Sequence, residues 1–393
     1  MKLKTEQPIK IGIDASNIGG GGGITHLKEI LEAYDTDFFE KEISEIIVFG
    51  SSRTLNQLPA LNILTKITFD ELNGGIFKRI LFQIKGYDRC IRKSNIDILL
   101  SLTGDYIGGF KPLVSMSRNM LLYDRKIWKE IKSIKEVSRF WLNYKKQKIC
   151  FSNSKGILFI SKYADSVIRA KLNLENKEIS TIHHGISKMF EVSPKLQNEI
   201  SDYSFSNPYK LLYVSTVHVY KHQWNLVKAI GILRSKGYPV VLDLVGGVIF
   251  KPAGELLNRT IDEVDKDRKF INYVGSIEYN RIQEFYQKTD GIVFASTCEN
   301  MPNILLESMA SGSPIACSDK EPMPEFLKEN GFYFNSYEVE SIVASIEKML
   351  LDQKMRTLTI EKNLLEIKKY SWEKTSKLTF GSLIKNYKSM KNV

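Results

Sequence analysis

Residues 291–310 read GIVFASTCENMPNILLESMA, and the order of residue types within them decides the class of fold. Gly291 to Thr297 is apolar and β-rich, which predicts a buried strand. Cys298-Glu299-Asn300-Met301 is a short polar exit. Pro302 suits the first turn of a helix, where its missing N–H is not needed, and the residues after it carry apolar side chains at helical spacing. A buried strand that leads through a short loop into a helix is the repeating unit of a parallel α/β sheet.

The unit recurs along the chain. Upstream, KLLYVST (Lys210–Thr216) precedes a helix over Gln223–Lys236, PVVLDLVGG (Pro239–Gly247) a charged helix near Gly254–Asp265, and FINYVGS (Phe270–Ser276) a helix over Tyr279–Lys288. Downstream, PIACSD (Pro314–Asp319) precedes a short helix and GFYF, and Val339–Leu351 reads as a long amphipathic helix. The first half has strands at Ile9–Asp14, Glu45–Gly50, Asp97–Leu102, Pro112–Met116, Gly156–Ser161 and Ile179–Gly185, with helices after the glycine run and from Tyr163. The polar, poorly patterned SPKLQNEISDYSFSNPYK (Ser193–Lys210) divides the two halves. The expected architecture is two Rossmann-like, doubly wound α/β domains with a cleft between them. Residues 1–192 form the first, 193–209 a linker, 210–370 the second, and 371–393 a helical tail that packs back on the first. In open parallel sheets ligands bind beyond the carboxyl ends of the strands, so the loops that leave each strand are the ones to examine.

A chain of 393 residues exceeds one ordinary core, and 43% hydrophobic with 26% charged residues excludes wholesale disorder or a fibre. Cys90, Cys150, Cys298 and Cys317 form no CxxC pair and have no His at metal-ligand spacing. This argues against a disulfide scaffold or zinc site and for a reducing compartment. MKLKTEQPIKIGID lacks the apolar core of a signal peptide, and no window of about 18 apolar residues exists. The expectation is a soluble or peripheral cytoplasmic protein.

Charge is uneven. Between Ile76 and Cys150 there are 17 Lys and Arg against 6 Asp and Glu, a net +11 that equals the formal charge of the whole chain. FKRILFQIKGYDRCIRK and DRKIWKEIKSIKEVSRFWLNYKKQK interleave these cations with apolar residues, and Trp128, Ile131 and Lys135 suggest a helix with one apolar and one cationic side. Such a surface suits an anionic membrane interface. Nucleic acid feels the same field, and a solvated face over an ordinary core helix is the plain alternative.

Within the opening stretch, Asn303 and Glu307 are one helical turn apart and share a face. Glu299 and Glu307 would frame the unpaired amides of a helix start, a natural anion site. Carboxylates accept hydrogen bonds from hydroxyls, so the arrangement suits a ligand with sugars on either side of a diphosphate. Alternatively, Glu299 is a solvated loop residue and Glu307 a first-turn acid favouring the helix dipole. The glycine run Gly19–Gly23 lets backbone approach a ligand closely, or is simply a flexible turn. It matches neither the dinucleotide fingerprint nor a Walker A loop. Thr25 and His26 are acceptor-side candidates. Paired His183-His184 lacks a visible third ligand, and Asp265-Lys266-Asp267 lies in a charged helical run that reads as a solvated face. No metal site is expected.

ENMPNILLESMASGSPIACSD resembles the E-x7-E signature segment of retaining GT-B glycosyltransferases of the family 4 type. The likeness extends over most of the chain: the glycine loop, ILFISKYAD, HHGIS, YVSTVHVYKHQWNLVKAI and NYVGSIEYNRIQEFYQKTDGIVFAST. The resemblance implies a first domain that holds the acceptor and a second that holds a nucleotide diphosphate sugar. It implies that Glu299 contacts hydroxyls of the donor sugar, Glu307 those of the ribose, and the amides around Met301, Asn303 and Ile304 the diphosphate. Lys221 would neutralise the departing diphosphate. Ser215-Thr216 stands where the family has Gly-Arg, which places Thr216 at the donor, while Gly275 would border the base and Gly22 and Gly23 face the donor. SMSRNMLLYD (Ser115–Asp124) has no active-site His; Arg118 or Asn119 occupies that position, and Asn119 could position the donor. The implied activity is retaining, metal-independent sugar transfer, with no cofactor beyond the UDP- or GDP-linked donor. The acceptor would be a glycan or lipid-linked hydroxyl in surface polysaccharide or lipopolysaccharide assembly, with no nucleic acid partner. Two rivals are a GT-B-fold sugar-nucleotide epimerase, which would need no acceptor, and a non-catalytic binder of nucleic acid or anionic polymer, which would have no nucleotide-sugar affinity.

Overall fold

The computed structural model describes residues 7–190 and 192–391. The first six residues, part of the segment read as lacking a signal-peptide core, lie outside that range. The chain divides into two compact units.

The first unit takes the residues up to Tyr123, Ser133–Gly185, and those from Tyr370 onward. Its strands are β1 (Ile9–Asp14), β2 (Ile43–Phe49), β3 (Leu64–Ile67), β4 (Ile98–Ser101), β5 (Leu113–Ser117), β6 (Gly156–Phe159) and β7 (Glu178–Thr181). They form one seven-stranded sheet in the order β3-β2-β1-β4-β5-β6-β7, and every pairing is parallel. β4, β5 and β6 are buried at every position, as strands covered on both faces are; GILF in β6 is a continuous apolar run, while ILLS in β4 and LVSMS in β5 place small buried serines among apolar residues. The strand order reverses between β1 and β4, which opens a crevice beyond their carboxyl ends. The edge strand β3 is short and half-exposed, and its sequence LTKI gave no separate expectation.

The helix Trp372–Lys391 belongs to this unit. Ser376 Oγ donates to the Ile30 carbonyl at 2.8 Å, Thr375 Oγ1 to the His183 carbonyl at 2.7 Å, and Phe380 packs edge-on against Tyr34 at 5.0 Å. Gly185 is required where the chain passes under that helix: a Cβ there would lie 2.1 Å from the Trp372 amide nitrogen.

The second unit takes Asp124–Lys132 and Ile186–Lys369. Its strands are β8 (Tyr209–Val214), β9 (Val240–Val245), β10 (Ile271–Gly275), β11 (Gly291–Phe294), β12 (Ile315–Ser318) and β13 (Phe332–Phe334). They pair in parallel in the order β10-β9-β8-β11-β12-β13. The reversal now falls between β8 and β11, so the loops leaving these two strands flank the crevice.

Three expectations are corrected. The first unit is not the continuous stretch 1–192: Asp124–Lys132 and the residues from Ile186 cluster with the second. Trp128, Ile131 and Lys135 do not share one helix. Lys132 takes a left-handed conformation (φ 48°) that ends the helix Arg125–Ile131, and Ser133 caps a new helix, Ile134–Asn153. Trp128 and Ile131 are buried, not surface residues. Finally, 193–209, expected to be a linker between the domains, belongs to the second unit. Lys195 Nζ donates to the Thr289 carbonyl at 2.7 Å, and the fully buried Arg356 donates through Nε to Gln197 Oε1 at 3.0 Å. These polar anchors leave no apolar period in the sequence.

Candidate functional site

Lys221 and Glu299 leave β8 and β11, the two strands that flank the second unit's crevice. Their loops are braced against each other. Thr297 N donates to the Tyr220 carbonyl at 2.9 Å, His222 Nε2 and Thr297 Oγ1 are 3.0 Å apart, and the Tyr213 hydroxyl donates to the Lys221 carbonyl at 2.9 Å. Held this way, the Lys221 ammonium pairs with a Glu299 carboxylate oxygen, with side chains only 7% and 17% exposed. A cation this dry is costly unless compensated, and Glu299 compensates it.

The helix Asn303–Ala310 begins four residues on. Pro302 is its N-cap rather than part of its first turn. Leu305 and Leu306 donate to the Pro302 carbonyl at 2.9 and 3.2 Å, so the amides of Asn303 and Ile304 precede the helical ladder. Met301 is buried beneath this corner, and Asn303 and Ile304 are half-buried. Glu307 is not the exposed first-turn acid of the alternative reading. It lies in the second turn, is 3% exposed, and accepts a 2.9 Å hydrogen bond from the Tyr279 hydroxyl. Burial pushes its carboxyl up to about 8, against the hydrogen bonds from Tyr279 and Tyr286 that favour ionisation.

On the neighbouring loops, Thr216 is exposed and its carbonyl accepts from Gln223 Nε2 at 3.0 Å. Gly275 has φ +78° and its carbonyl accepts from the Gly246 amide at 2.8 Å. Gly246 in turn leaves no room for a side chain, since a Cβ would sit 2.0 Å from the Ser215 oxygen. Lys221, Glu299, Met301, Asn303, Ile304, Glu307, Thr216 and Gly275 thus all lie on strand ends, loops or the first two helical turns at one end of this sheet. The sequence reading missed Tyr279, Tyr213 and the His222–Thr297 brace. Tyr279 had a usable signal, because it follows β10 at the same carboxyl end.

Gly22, Gly23 and Asn119 belong to the first unit. Gly22 and Gly23 form the first turn of the helix Gly22–Glu32, which starts inside the glycine run rather than after it because Gly21 (φ 62°) turns the chain into it. Arg118 Nη2 donates to the Gly22 carbonyl, and burial lowers its guanidinium to about 10. Asn119 is exposed and its Oδ1 accepts from the Leu121 amide at 3.0 Å, so the side chain is engaged in a local cap. His26, an acceptor-side candidate, is instead fully buried against the rings of His184 (4.5 Å) and Trp372 (5.6 Å). The His183 ring lies 5.6 Å from Tyr370. Among the described residues no group of three or more His, Cys, Asp or Glu is placed to hold a metal. Asp265 is corrected from a solvated residue to a buried turn-former that accepts from the Lys269, Phe270 and Ile271 amides at 2.9, 2.8 and 2.7 Å.

A second polar network went unforeseen. Asp14, at the carboxyl end of β1, accepts from Ser16 N at 3.0 Å and the Tyr87 hydroxyl at 2.7 Å. Burial, reinforced by Asp105, pushes its carboxyl up to about 6. Tyr87→Phe should therefore cost about 1.5–3 kcal/mol, the range for a lost hydrogen bond to a charged group, as read by urea unfolding near pH 7.5.

Similarity to known proteins follows this division. The two Rossmann-like units give the chain the GT-B fold. The Anabaena protein HepE, solved with UDP and glucose, superposes with a TM-score of 0.68 at 16% identity, covering 95% of this chain and 98% of that one. Sucrose-phosphate synthase from Thermosynechococcus elongatus gives 0.71 at 14% identity, covering 98% and 100%. Residues 197–364, nearly all of the second unit, match the family model described as glycosyl transferases group 1. The O-antigen chain mannosyltransferase B of Escherichia coli is 25% identical over 235 residues, 59% of this chain and 58% of its own length. The sulfoquinovosyl transferase of Arabidopsis thaliana is 27% identical over 105 residues, 25% of this chain and 21% of the relative. The chain thus spans little more than half the length of the first of these relatives and about a fifth of the second.

Proposed function

We propose that the protein is a retaining glycosyltransferase that moves a sugar from a UDP- or GDP-linked donor to a hydroxyl of a glycan or lipid-linked acceptor. The observation that carries this reading is the buried Lys221–Glu299 pair beside the first amides of the helix Asn303–Ala310, with Glu307 one turn further on. Transfer builds negative charge on the leaving diphosphate. Lys221, the amides around Met301, Asn303 and Ile304, and the helix dipole stabilise that charge more than they stabilise the bound donor, which is what lowers a barrier. Glu299 accepts from hydroxyls of the donor sugar and Glu307 from those of the ribose, while Gly275 and Thr216 border the nucleotide. In this reading a departing phosphate oxygen takes the acceptor's proton. Protein cations fill the role that a metal would otherwise have. The likeness to the O-antigen chain mannosyltransferase supports a role in surface polysaccharide or lipopolysaccharide assembly, which this reading places in the cytoplasm.

Thermal shift across a panel of nucleotide sugars tests the donor first, because a ligand bound only by the folded state raises its apparent stability. At a hundredfold excess over Kd the gain is about 2.7 kcal/mol. One or a few UDP or GDP sugars should give a clear shift, and NMR of the product should show the donor's anomeric configuration retained. No shift with any nucleotide sugar would overturn the donor reading, and an inverted product would overturn retention.

A further inference from the structure

The helix Ile76–Lys85 is inside out. Arg79 and Gln83, one turn apart, face the protein: Arg79 Nη2 donates to the Ser16 carbonyl at 3.0 Å, and Gln83 Nε2 donates to Ser16 Oγ at 3.2 Å and Asn17 Oδ1 at 2.9 Å. Phe82 fills the rest of the inner side against Phe69 and Tyr87, with ring centres 5.4 and 5.7 Å away. The outer side is apolar. Phe77 is 86% exposed, Ile80 39%, Leu81 54% and Ile84 62%. Their i, i+3, i+4, i+7 spacing makes one continuous stripe, the face that an ordinary surface helix would bury. Exposed Lys78 and Lys85 border it.

We propose that this face docks on an anionic lipid surface, with the stripe sunk among the headgroups and the lysines at phosphate level. An exposed apolar stripe of this size signals an interaction site rather than a solvated helix. Charge selects the occupant. The parts of this stretch that belong to the first unit, Ile76–Tyr123 and Ser133–Cys150, carry 13 cationic against 4 anionic side chains, so a second copy would meet this face with its own positive field. Nucleic acid would satisfy the lysines and leave the apolar stripe in water. The helix Ile134–Asn153 repeats the same chemistry on this unit. It exposes Trp141, Leu142 and Ile149 among Arg139, Lys145, Lys146 and Lys148, and Trp is a side chain favoured at membrane interfaces. No helix among the described residues is long and apolar enough to cross a membrane. The proposal does not depend on the reaction proposed above.

Cosedimentation of the full chain with phosphatidylcholine vesicles, with and without about one third phosphatidylglycerol, tests it. Binding is expected to the anionic vesicles at low salt, with weakening as salt is added and little binding to the neutral ones. Phe77→Ser/Leu81→Ser/Ile84→Ser should lower the partition coefficient at least tenfold. Lys78→Gln/Lys85→Gln should lower it about thirtyfold, from roughly fivefold per near-surface cation. Both variants should keep the wild-type unfolding midpoint, which separates lost docking from lost folding. The proposal is overturned if the wild type ignores anionic vesicles, if the triple variant binds them as well as wild type, or if sedimentation velocity shows a lipid-free dimer that the triple variant abolishes.

Discussion

Lys221→Ala should reduce turnover about 10²- to 10³-fold while leaving the protein folded, the loss typical of removing one preorganised group that meets transition-state charge. Its partner separates chemistry from architecture. Glu299→Ala should lower turnover comparably, but it also strands a lysine whose side chain is 7% exposed beside an acid that is 17% exposed. Removing one member of a buried pair costs about 3–5 kcal/mol. Residual solvent contact at Glu299 puts the expected loss at or below the low end, about 3 kcal/mol or less. The truncated lysine costs less, because Glu299 can turn its charge to water. Single-turnover rates and urea midpoints for the two single variants and the double variant make the comparison. The double variant should be more stable than Glu299→Ala alone. Near-normal transfer by both single variants would remove the pair from the reaction.

Glu307 should make both stability and nucleotide binding depend on pH. Its carboxyl ionises near 4.5 when unfolded and is held up to about 8 by burial in the folded protein. Between those values the folded state keeps a proton that the unfolded state has lost. The stabilisation from this group is therefore complete below about pH 4.5 and is lost as pH rises through 8, with a limiting slope of about 1.4 kcal/mol per pH unit. Glu307→Gln preserves the volume and the Tyr279 contact but cannot ionise, so its urea midpoint should decline less between pH 5.5 and 8.5. Nucleotide binding should run the other way. Ribose hydroxyls donate best to a carboxylate, so affinity for the nucleotide should rise up to tenfold per pH unit below pH 8 in the wild type. In Glu307→Gln it should be weak and flat. A wild-type affinity that is constant from pH 6 to 8 would remove Glu307 from the nucleotide's hydroxyls.

Much of the fold was legible because its units repeat. A continuous apolar run such as GILF marks a strand covered on both faces, and it is followed by a turn into a helix. The edge strand LTKI, half-exposed and with little apolar content, carried no such mark. The strand-to-helix corner with Glu299 and Glu307 was visible as a spacing, but the Lys221–Glu299 pairing was not. Those residues are 78 positions apart and meet only because β8 and β11 are neighbours. Asp14 and Tyr87 were invisible for a similar reason, since a lone Asp at a strand end says nothing of a tyrosine 73 residues away. The wrap of 193–209 escaped notice because Lys195, Gln197 and Arg356 hold it through carbonyl and amide groups, which leave no hydrophobic period. The helix over Ile76–Lys85 shows a different limit. Periodicity reveals an apolar stripe, yet the same period results whether the stripe points in or out.

The assignment of Trp372–Lys391 to the first unit bears on the order in which the halves mature on the ribosome. Asp124–Lys132 has already emerged when Ile186–Lys369 is made, so the later-coded half has all its pieces first. The earlier-coded half must wait with Tyr34 and Gly185 uncovered until the final helix arrives to close over them. Severing the chain after Gly185 would therefore yield no self-sufficient fragment: each would retain a strip of polypeptide belonging to the other's interior.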